Sequence, residues 1–468
     1  MALPLRPVIA RADFSAPAFI WPLLGLLCLP IAALAGMSAA RSLTLVIIGV
    51  GGIAVFALGL LSPPAAIAGL IFAAGFARVQ LGTGTGSPLV ASLLVAFAIT
   101  AAWILRMIFG RNLRIVNSPV TFPLVAFVTM NVLSLLWSRA TLDPRIFVPP
   151  TFIRVQVASL MVIVLSATTV LIVGGSVRRH YWLKWYLGIL FAIGVLHEAL
   201  IVVHGPDHLV MGRGLIPMWC ICLAAGQAVI NTRLAGWARV GMLLISAFCF
   251  YGLLTHQDWI SGWLPAALSV LVVFLLRGRV TAVVTLVVAA CLLVVLWGTI
   301  YQIFTVDKVQ QGTLGGESKR TSLWARTLAT VAPSPWIGSG PAGYALAEVQ
   351  FYPNEALSAH SNYIDVIAES GVIGLVFFMW FLGAALWVGY RAQRLLRSRG
   401  DMLGGSIAVG ALAGLVGIIL AMALGDWVIP FVYNQTIAGF DYTIETWLGI
   451  GMLVALDAIS RTSAAEAV

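Results

Sequence analysis

His360 is the residue of this sequence best suited to moving a proton. It stands in AHSNYIDVIAESGVIG, residues 359–374, where a polar stretch gives way to a purely apolar run. Imidazole has an ordinary pKa of about 6.5 and takes up a proton near neutral pH, as a general base for a hydroxyl must. A solitary loop histidine is more commonly a hydrogen-bonding bystander, so its surroundings decide. Arg320 and Arg326 lie upstream and Arg213 on another loop, with no obvious acidic partner at helical spacing apart from Glu317, three residues before Arg320. Arginines without acidic partners beside a membrane point to a phosphate or pyrophosphate, which a planar guanidinium grips through two hydrogen bonds. Anchoring of the loop to lipid phosphates is the plainer alternative.

The elements that must position these residues are membrane helices. Of 468 residues, 61% are hydrophobic and 9% charged, with a mean hydropathy of +1.01; soluble domains carry about a quarter charged residues. Apolar runs of about 20 residues, enough to cross a hydrocarbon core of about 30 Å, predict helices near 17–36, 42–61, 64–78, 87–105, 118–137, 157–175, 186–204, 214–230, 241–256, 262–276, 281–299, 370–389, 404–424 and 444–460. If the pair around Ser62-Pro63-Pro64 is one broken hairpin, the count falls toward twelve. The expected fold is an all-α polytopic membrane protein with about 12–14 transmembrane helices and one long outer loop containing short helices. Residues 1–299 and 370–468 form the two sets of helices of a single membrane domain, and 300–369 the loop. Arg6 and Arg11 before an apolar run ending in Ala33-Leu34-Ala35 imitate a signal peptide, but the run is long for one and reads as a retained first helix.

Charge fixes the orientation. With the N-terminus inside, seventeen of the 27 basic residues fall on one side, among them Arg106, Arg178, Arg239, Arg391, Arg397, Arg399 and Arg461, as cytoplasmic loops require. The net charge of +10 is therefore a cytoplasmic excess and implies no nucleic-acid partner. The other ten, Arg41, Arg78, Arg139, Arg145, Arg154, Arg213, Lys308, Lys319, Arg320 and Arg326, fall on the outer side, where each needs a local reason such as a bound anion. The five cysteines lie in apolar runs and read as packing residues.

Within the outer loop, SLWARTLATVA (322–332) has the spacing of a short interfacial helix, and PSPWIGSGPAGYA (333–345) that of tight turns in which Gly338, Gly340 and Gly343 allow positive φ or close approach. Asn362 followed by Asp365 has the spacing of an N-cap pair, which assigns Asp365 to backbone N–H groups. Gly371 and Gly374 permit the next helix to approach a neighbour closely. Trp324, Trp336, Tyr344 and Tyr352 are candidates for stacking on sugar rings, although aromatic residues gather at membrane interfaces for other reasons too.

The runs SKRTSLWARTLATVAPSPWIGSGPAGY and HSNYIDVIAESGVIGLVFF resemble the O-antigen ligase and polymerase superfamily of bacterial envelope proteins. The shared pattern is an Arg, a Trp shortly after, a P-x-x-G-x-G turn, a His-Asn pair opening a helix, and G-x-x-G. It falls on Arg320, Trp324, Pro335 to Gly340, His360, Asn362, Gly371 and Gly374, with Ser361 where the family usually has Asn. Weaker agreement reaches Arg213 and Asp426, the latter where an acid often opens the last outer loop; an N-cap or solvated-loop role for Asp426 stays open. The resemblance implies a membrane glycosyltransferase of the inner membrane, with both termini cytoplasmic and a periplasmic site. It would pass a glycan from undecaprenyl pyrophosphate to a hydroxyl on lipid A-core or on another lipid-linked glycan.

That chemistry suits the residues: Arg213, Arg320 and Arg326 to neutralise the leaving pyrophosphate, His360 to deprotonate the acceptor, and Asn362, Asp426 and Trp324 as acceptor contacts or support. The outer side offers no D-x-D pair or His/Asp/Glu cluster for a metal, so the expected reaction is metal-independent and inverting, without a cofactor. HEALIVVH (197–204) has the wrong spacing for a zinc protease helix, but its Glu198, within an apolar helix, either faces a cavity or pairs with His197. The rival class is a transporter or flippase of lipid-linked glycans. Such proteins place coupling charges at the bilayer midplane, often in paired repeats; here only Glu198 is deeply placed and no repeat is evident.

Overall fold

A computed structural model describes residues 43–77, 80–81, 88–110, 115–141, 144–203, 215–256, 260–295, 297–298, 317–352, 358–431 and 437–465. The predicted first helix, Cys28 and Arg213 lie outside them. The chain is an all-α polytopic membrane protein. Nine helices among the described residues are long and apolar enough to cross a membrane, accompanied by four shorter apolar ones. The apolar runs are α1 (Leu43–Leu61), α2 (Pro63–Phe76), α3 (Ala91–Phe109), α4 (Thr121–Ala140), α5 (Phe152–Ser176), α6 (His180–Val202), α7 (Ile216–Ile230), α8 (Gly236–His256), α9 (Ile260–Arg277) and α10 (Arg279–Val295). The stretch after α10 adds α11 (Glu317–Val331) and α12 (Gly343–Phe351), and α13 (Asn362–Ser398), α14 (Met402–Leu424) and α15 (Phe440–Ala465) close the bundle. A two-residue antiparallel pair, Gln80–Leu81 with Leu89–Val90, brackets 82–87.

The breaks follow from local chemistry. Ser62 precedes α2 without a side-chain cap bond and Pro63 opens it, a place where a missing N–H costs nothing, so α1 and α2 are two helices rather than one. Several helices outrun their apolar runs: α5 begins at Phe152 rather than 157, α6 at His180 rather than 186, and α13 covers Asn362–Ser398 rather than 370–389. Backbone hydrogen bonding continues past the hydrocarbon core, so Arg154, Gln156 and Lys184 are helical although polar.

The centre of the bundle is α14 and α15. Gly226 of α7 and Gly410 of α14 let these helices meet backbone to backbone: a Cβ on either would sit within 3 Å of a carbonyl oxygen of the other, Ser406 or Cys222. The membrane-length part of α15 is wholly buried, whereas α10 buries none of its residues.

One end of the bundle is basic. There the guanidinium groups of Arg106, Arg178, Arg239, Arg397 and Arg399 donate to carbonyls in or beside the last turns of α1, α5, α7, α9 and α15. Those groups have no partner within a helix, and the helix dipole favours a cation beside them. Arg391 and Arg461 converge on the fully buried carboxylate of Asp457, Arg391 through two bonds of 2.7 Å.

Candidate active site

The opposite end is organised around a broken helix. Within α13, Gly371 has φ +70° and ψ −176°, a conformation essentially open to glycine alone. The break strips carbonyls and amides of their helical partners, and the turn 335–340 supplies replacements. Ser339 N–H donates to Ala368 O (2.9 Å), Gly340 N–H to Glu369 O (2.9 Å), and Val372 and Ile373 N–H to the carbonyls of Pro335 and Trp336 (2.9 and 3.3 Å). Gly338, at φ +83°, sits so tightly that a Cβ there would lie 2.5 Å from the Glu369 carbonyl. From α4, Ser134 donates to Glu369 O (2.5 Å) and accepts from Gly340 N–H (3.0 Å). The glycine turn and the glycine pair of the next helix are thus two halves of one joint. Gly374 plays a lesser part than expected, facing Ser370 of its own helix and Met130.

On this joint stands the first turn of α13. The expected N-cap pair is not one: Ser361 precedes the helix without a side-chain cap bond, and Asn362 and Asp365 bind across the chain. Asn362 Oδ1 accepts from the amides of Val428 and Ile429 (2.8 and 3.3 Å), and its Nδ2 donates to Ile429 O (2.8 Å) and Asp365 (3.3 Å). Backbone recognition of this kind outweighs local capping because the 428–429 segment is buried and must find partners. Asn362 thereby clamps the segment that carries Asp426. Asp365 accepts from the Tyr344 hydroxyl at 2.5 Å and is in side-chain hydrogen-bond contact with Asp426. Burial, then the nearby Asp365, Asp426 and Glu369 carboxyls, hold the Tyr344 phenol well above its ordinary range, so it stays a donor.

His360 adjoins this buried network. Its ring is 41% exposed whereas Asp426 is 1% exposed, and Nδ1 lies 3.7 Å from Asp426 Oδ2. Ser358 stands between them: its Oγ donates to Asp426 Oδ2 (2.5 Å) and lies 3.1 Å from both the backbone N and Nδ1 of His360. His360 has φ +49°, an uncommon conformation for a residue with a Cβ, costing on the order of 1–3 kcal/mol. It is held there by that Ser358 bond on one side and by Ala359 on the other, whose carbonyl accepts from the Trp324 indole at 2.8 Å. Trp324 is therefore a tie between α11 and the histidine segment. Neither Ser358 nor this role of Tyr344 was apparent from the sequence; only the spacing of Ser358, two residues before His360, hinted at the first.

The remaining candidates separate. Arg326 is not without an acidic partner: its guanidinium lies 3.9 Å from Glu348 and 4.5 Å from the Tyr352 ring centroid. Burial raises the Glu348 carboxyl, an effect that Arg326 and the Thr327 hydroxyl partly offset. Tyr344 is buried against Phe431 and Tyr352 is covered by Arg326, so of the four aromatic candidates only Trp336, 64% exposed, stands well open. Arg320 lies in the first turn of α11, with its side chain outside the described residues, as is the whole of Arg213. Glu198 pairs with His197 at 3.1 Å. Three cysteines are buried as expected, but Cys291 is exposed. Among the described residues no group of three or more His, Cys, Asp or Glu has the geometry of a metal site.

The site thus offers an accessible imidazole with a buried carboxylate behind it, on a rigid joint at the end of the bundle away from the capped arginines. None of the curated proteins compared matches the chain. Over residues 241–379, which include α11, the glycine turn and His360, the chain matches the family model described as O-antigen ligase, and that similarity supports a membrane enzyme that transfers glycans.

Proposed function

We propose that the protein transfers a glycan from undecaprenyl pyrophosphate to an acceptor hydroxyl at the periplasmic face of a bacterial inner membrane. It does so as an O-antigen ligase acting on lipid A-core or as a polymerase acting on a second lipid-linked glycan. The observation that carries the reading is the open His360 ring backed by buried Asp426. The basic end of the bundle supports the sidedness, since cytoplasmic ends collect arginine; in this reading both termini are cytoplasmic and the 300–369 segment is outside.

In this reading the acceptor hydroxyl gives its proton to His360 as its oxygen attacks the anomeric carbon. The bond from that carbon to the pyrophosphate oxygen breaks with inversion, and its electron pair leaves on the pyrophosphate. Asp426 steadies the imidazolium that forms, while Arg213 and Arg320 neutralise the leaving group without a divalent ion. Arg326, engaged by Glu348 and Tyr352, serves better as a brace between α11 and α12 than as a pyrophosphate ligand. Transport is the weaker reading: the coupling group it draws from the sequence, Glu198, is bonded to His197 and pressed against Gly252, where even a Cβ would overlap its carboxylate, although α15 also buries Asp441 and Glu445.

The test is transfer by purified protein in detergent from a prenyl-pyrophosphate-linked glycan. His360→Ala is expected to slow it by roughly 100-fold or more, the contribution of a general base, and a chelator to leave the wild-type rate unchanged. Transfer by His360→Ala at the wild-type rate removes the assignment.

A further inference from the structure

Ser358 is fully buried, and all its hydrogen-bonding capacity is accounted for. A hydroxyl has one proton and two lone pairs. The proton points to Asp426 Oδ2 at 2.5 Å, and the backbone N–H of His360 donates to the oxygen at 3.1 Å. The contact left, Nδ1 of His360 at 3.1 Å, faces a lone pair, so the ring must be the donor and Nδ1 must carry the hydrogen. This assignment takes Asp426 as the carboxylate, the form in which its Oδ2 accepts from Ser358.

We propose that Ser358 is the positioning residue of the site: its hydroxyl holds His360 in the Nδ1–H form and links the ring to the Asp426 carboxylate, leaving the lone pair on Nε2. The inference rests on the reading of His360 as the base for the acceptor hydroxyl. Under it, the acceptor proton arrives at Nε2, the positive charge spreads to Nδ1, and the Ser358 oxygen and Asp426 behind it stabilise that charge. No bond to Ser358 is made or broken. The same hydroxyl, through the His360 amide, holds the backbone at its positive φ, so one side chain sets both the place of the ring and its tautomer. Neutral histidine side chains in water prefer the Nε2–H form, so the site works against an intrinsic preference and needs a fixed acceptor to do so.

Full-length protein carrying ¹⁵N-labelled histidine rings, compared with His360→Ala to identify the His360 signals, reports the tautomer directly. Wild type at a pH where the ring is neutral is expected to show Nδ1–H; Ser358→Ala should move the ring to Nε2–H, and Ser358→Thr, which keeps the hydroxyl, should retain Nδ1–H. In glycan transfer, Ser358→Ala is expected to lower kcat by roughly 10-fold to 100-fold, within the range of the base it positions. KM for donor and acceptor should be unchanged, and Ser358→Thr should recover most of the rate. A wild-type ring in the Nε2–H form overturns the proposal. So does a Ser358→Ala protein with undiminished kcat when His360→Ala has none. Should His360→Ala itself transfer glycan normally, the base assignment falls, and the tautomer measurement still decides what Ser358 does. If Ser358→Ala fails to fold, the wild-type and Ser358→Thr spectra carry the decision.

Discussion

The two ends of the helical bundle use charge in opposite ways. At the basic end the cations serve the scaffold: Arg106, Arg178, Arg239, Arg397 and Arg399 complete helix ends, and Arg391 and Arg461 enclose Asp457. At the other end the anions are buried. Asp365 and Asp426 accept from the side chains of Tyr344, Asn362 and Ser358 and Glu369 from the Ala342 amide, and Arg326 is turned toward Glu348. Helix direction accounts for much of this. Helices that finish at the basic end present carbonyls, which guanidinium groups answer. Where α13 begins and breaks, amides and carbonyls are exposed in a joint built from glycines and hydroxyls, which leaves an ionisable ring the freedom to change charge. A cation fixed on carbonyls is poorly placed to take part in chemistry, and a carboxyl buried behind an imidazole is well placed to.

Substitutions that separate fold from reaction sharpen the contrast. Gly371→Ala is expected to have the largest effect on stability. Its Cβ would lie 2.2 Å from the Trp336 carbonyl at a φ of +70°, so the joint must open, with a loss of about 3 kcal/mol or more. The midpoint of thermal unfolding in detergent should fall, and transfer should fall with it, because the turn holding Glu369 and the start of α13 comes apart together. Asp457→Asn acts at the other end. It leaves two guanidinium groups around a neutral amide, with an expected loss of up to about 3 kcal/mol, toward the low end for a buried pair because Arg391 and Arg461 keep contact with water. Here the unfolding midpoint drops while transfer per folded molecule stays as in wild type. A catalytic defect in Asp457→Asn at full stability would break the comparison.

Much of this was legible in the sequence, and the gaps share a cause. Span positions follow from run length alone, because burying about 20 apolar residues outweighs other preferences. His360, Trp324 and the turn Pro335 to Gly340 stood out as candidates because residue type and short spacing mark them. The Asn362–Asp365 cap was misread because a local rule was applied where a buried segment 66 residues away offered better partners. The partner of Arg326 was missed for a similar reason: Glu348 sits in α12, nine residues without an amphipathic pattern. Ser358 carries only the hint of its spacing from His360, since its meaning comes from Asp426 on a different loop.

The smallest expected effect tests whether the basic end is purely structural. Asp401 caps α14, accepting from Gly404 N–H at 2.9 Å, and its carboxylate lies 2.7 Å from Nε2 of His180. Burial pushes its carboxyl up, but the His180 ring, the Gly404 amide and the charge of Arg233 outweigh that, so the folded-state pKa lies below the ordinary 3.8. The unfolded chain therefore binds the proton more readily. The stabilisation is fully present above about pH 4 and is lost as pH falls through the lower, folded value. Asp401→Asn should cost about 1 kcal/mol at neutral pH, the combined effect of a weakened cap and a half-exposed pair. The gap between variant and wild type should close on acidification below pH 4, in thermal unfolding followed from pH 7 downward. Transfer measured at neutral pH should not change. If Asp401→Asn alters the pH dependence of transfer, the two ends are coupled through α14, which runs from Asp401 to the segment carrying Asp426, and the basic end contributes to the reaction after all.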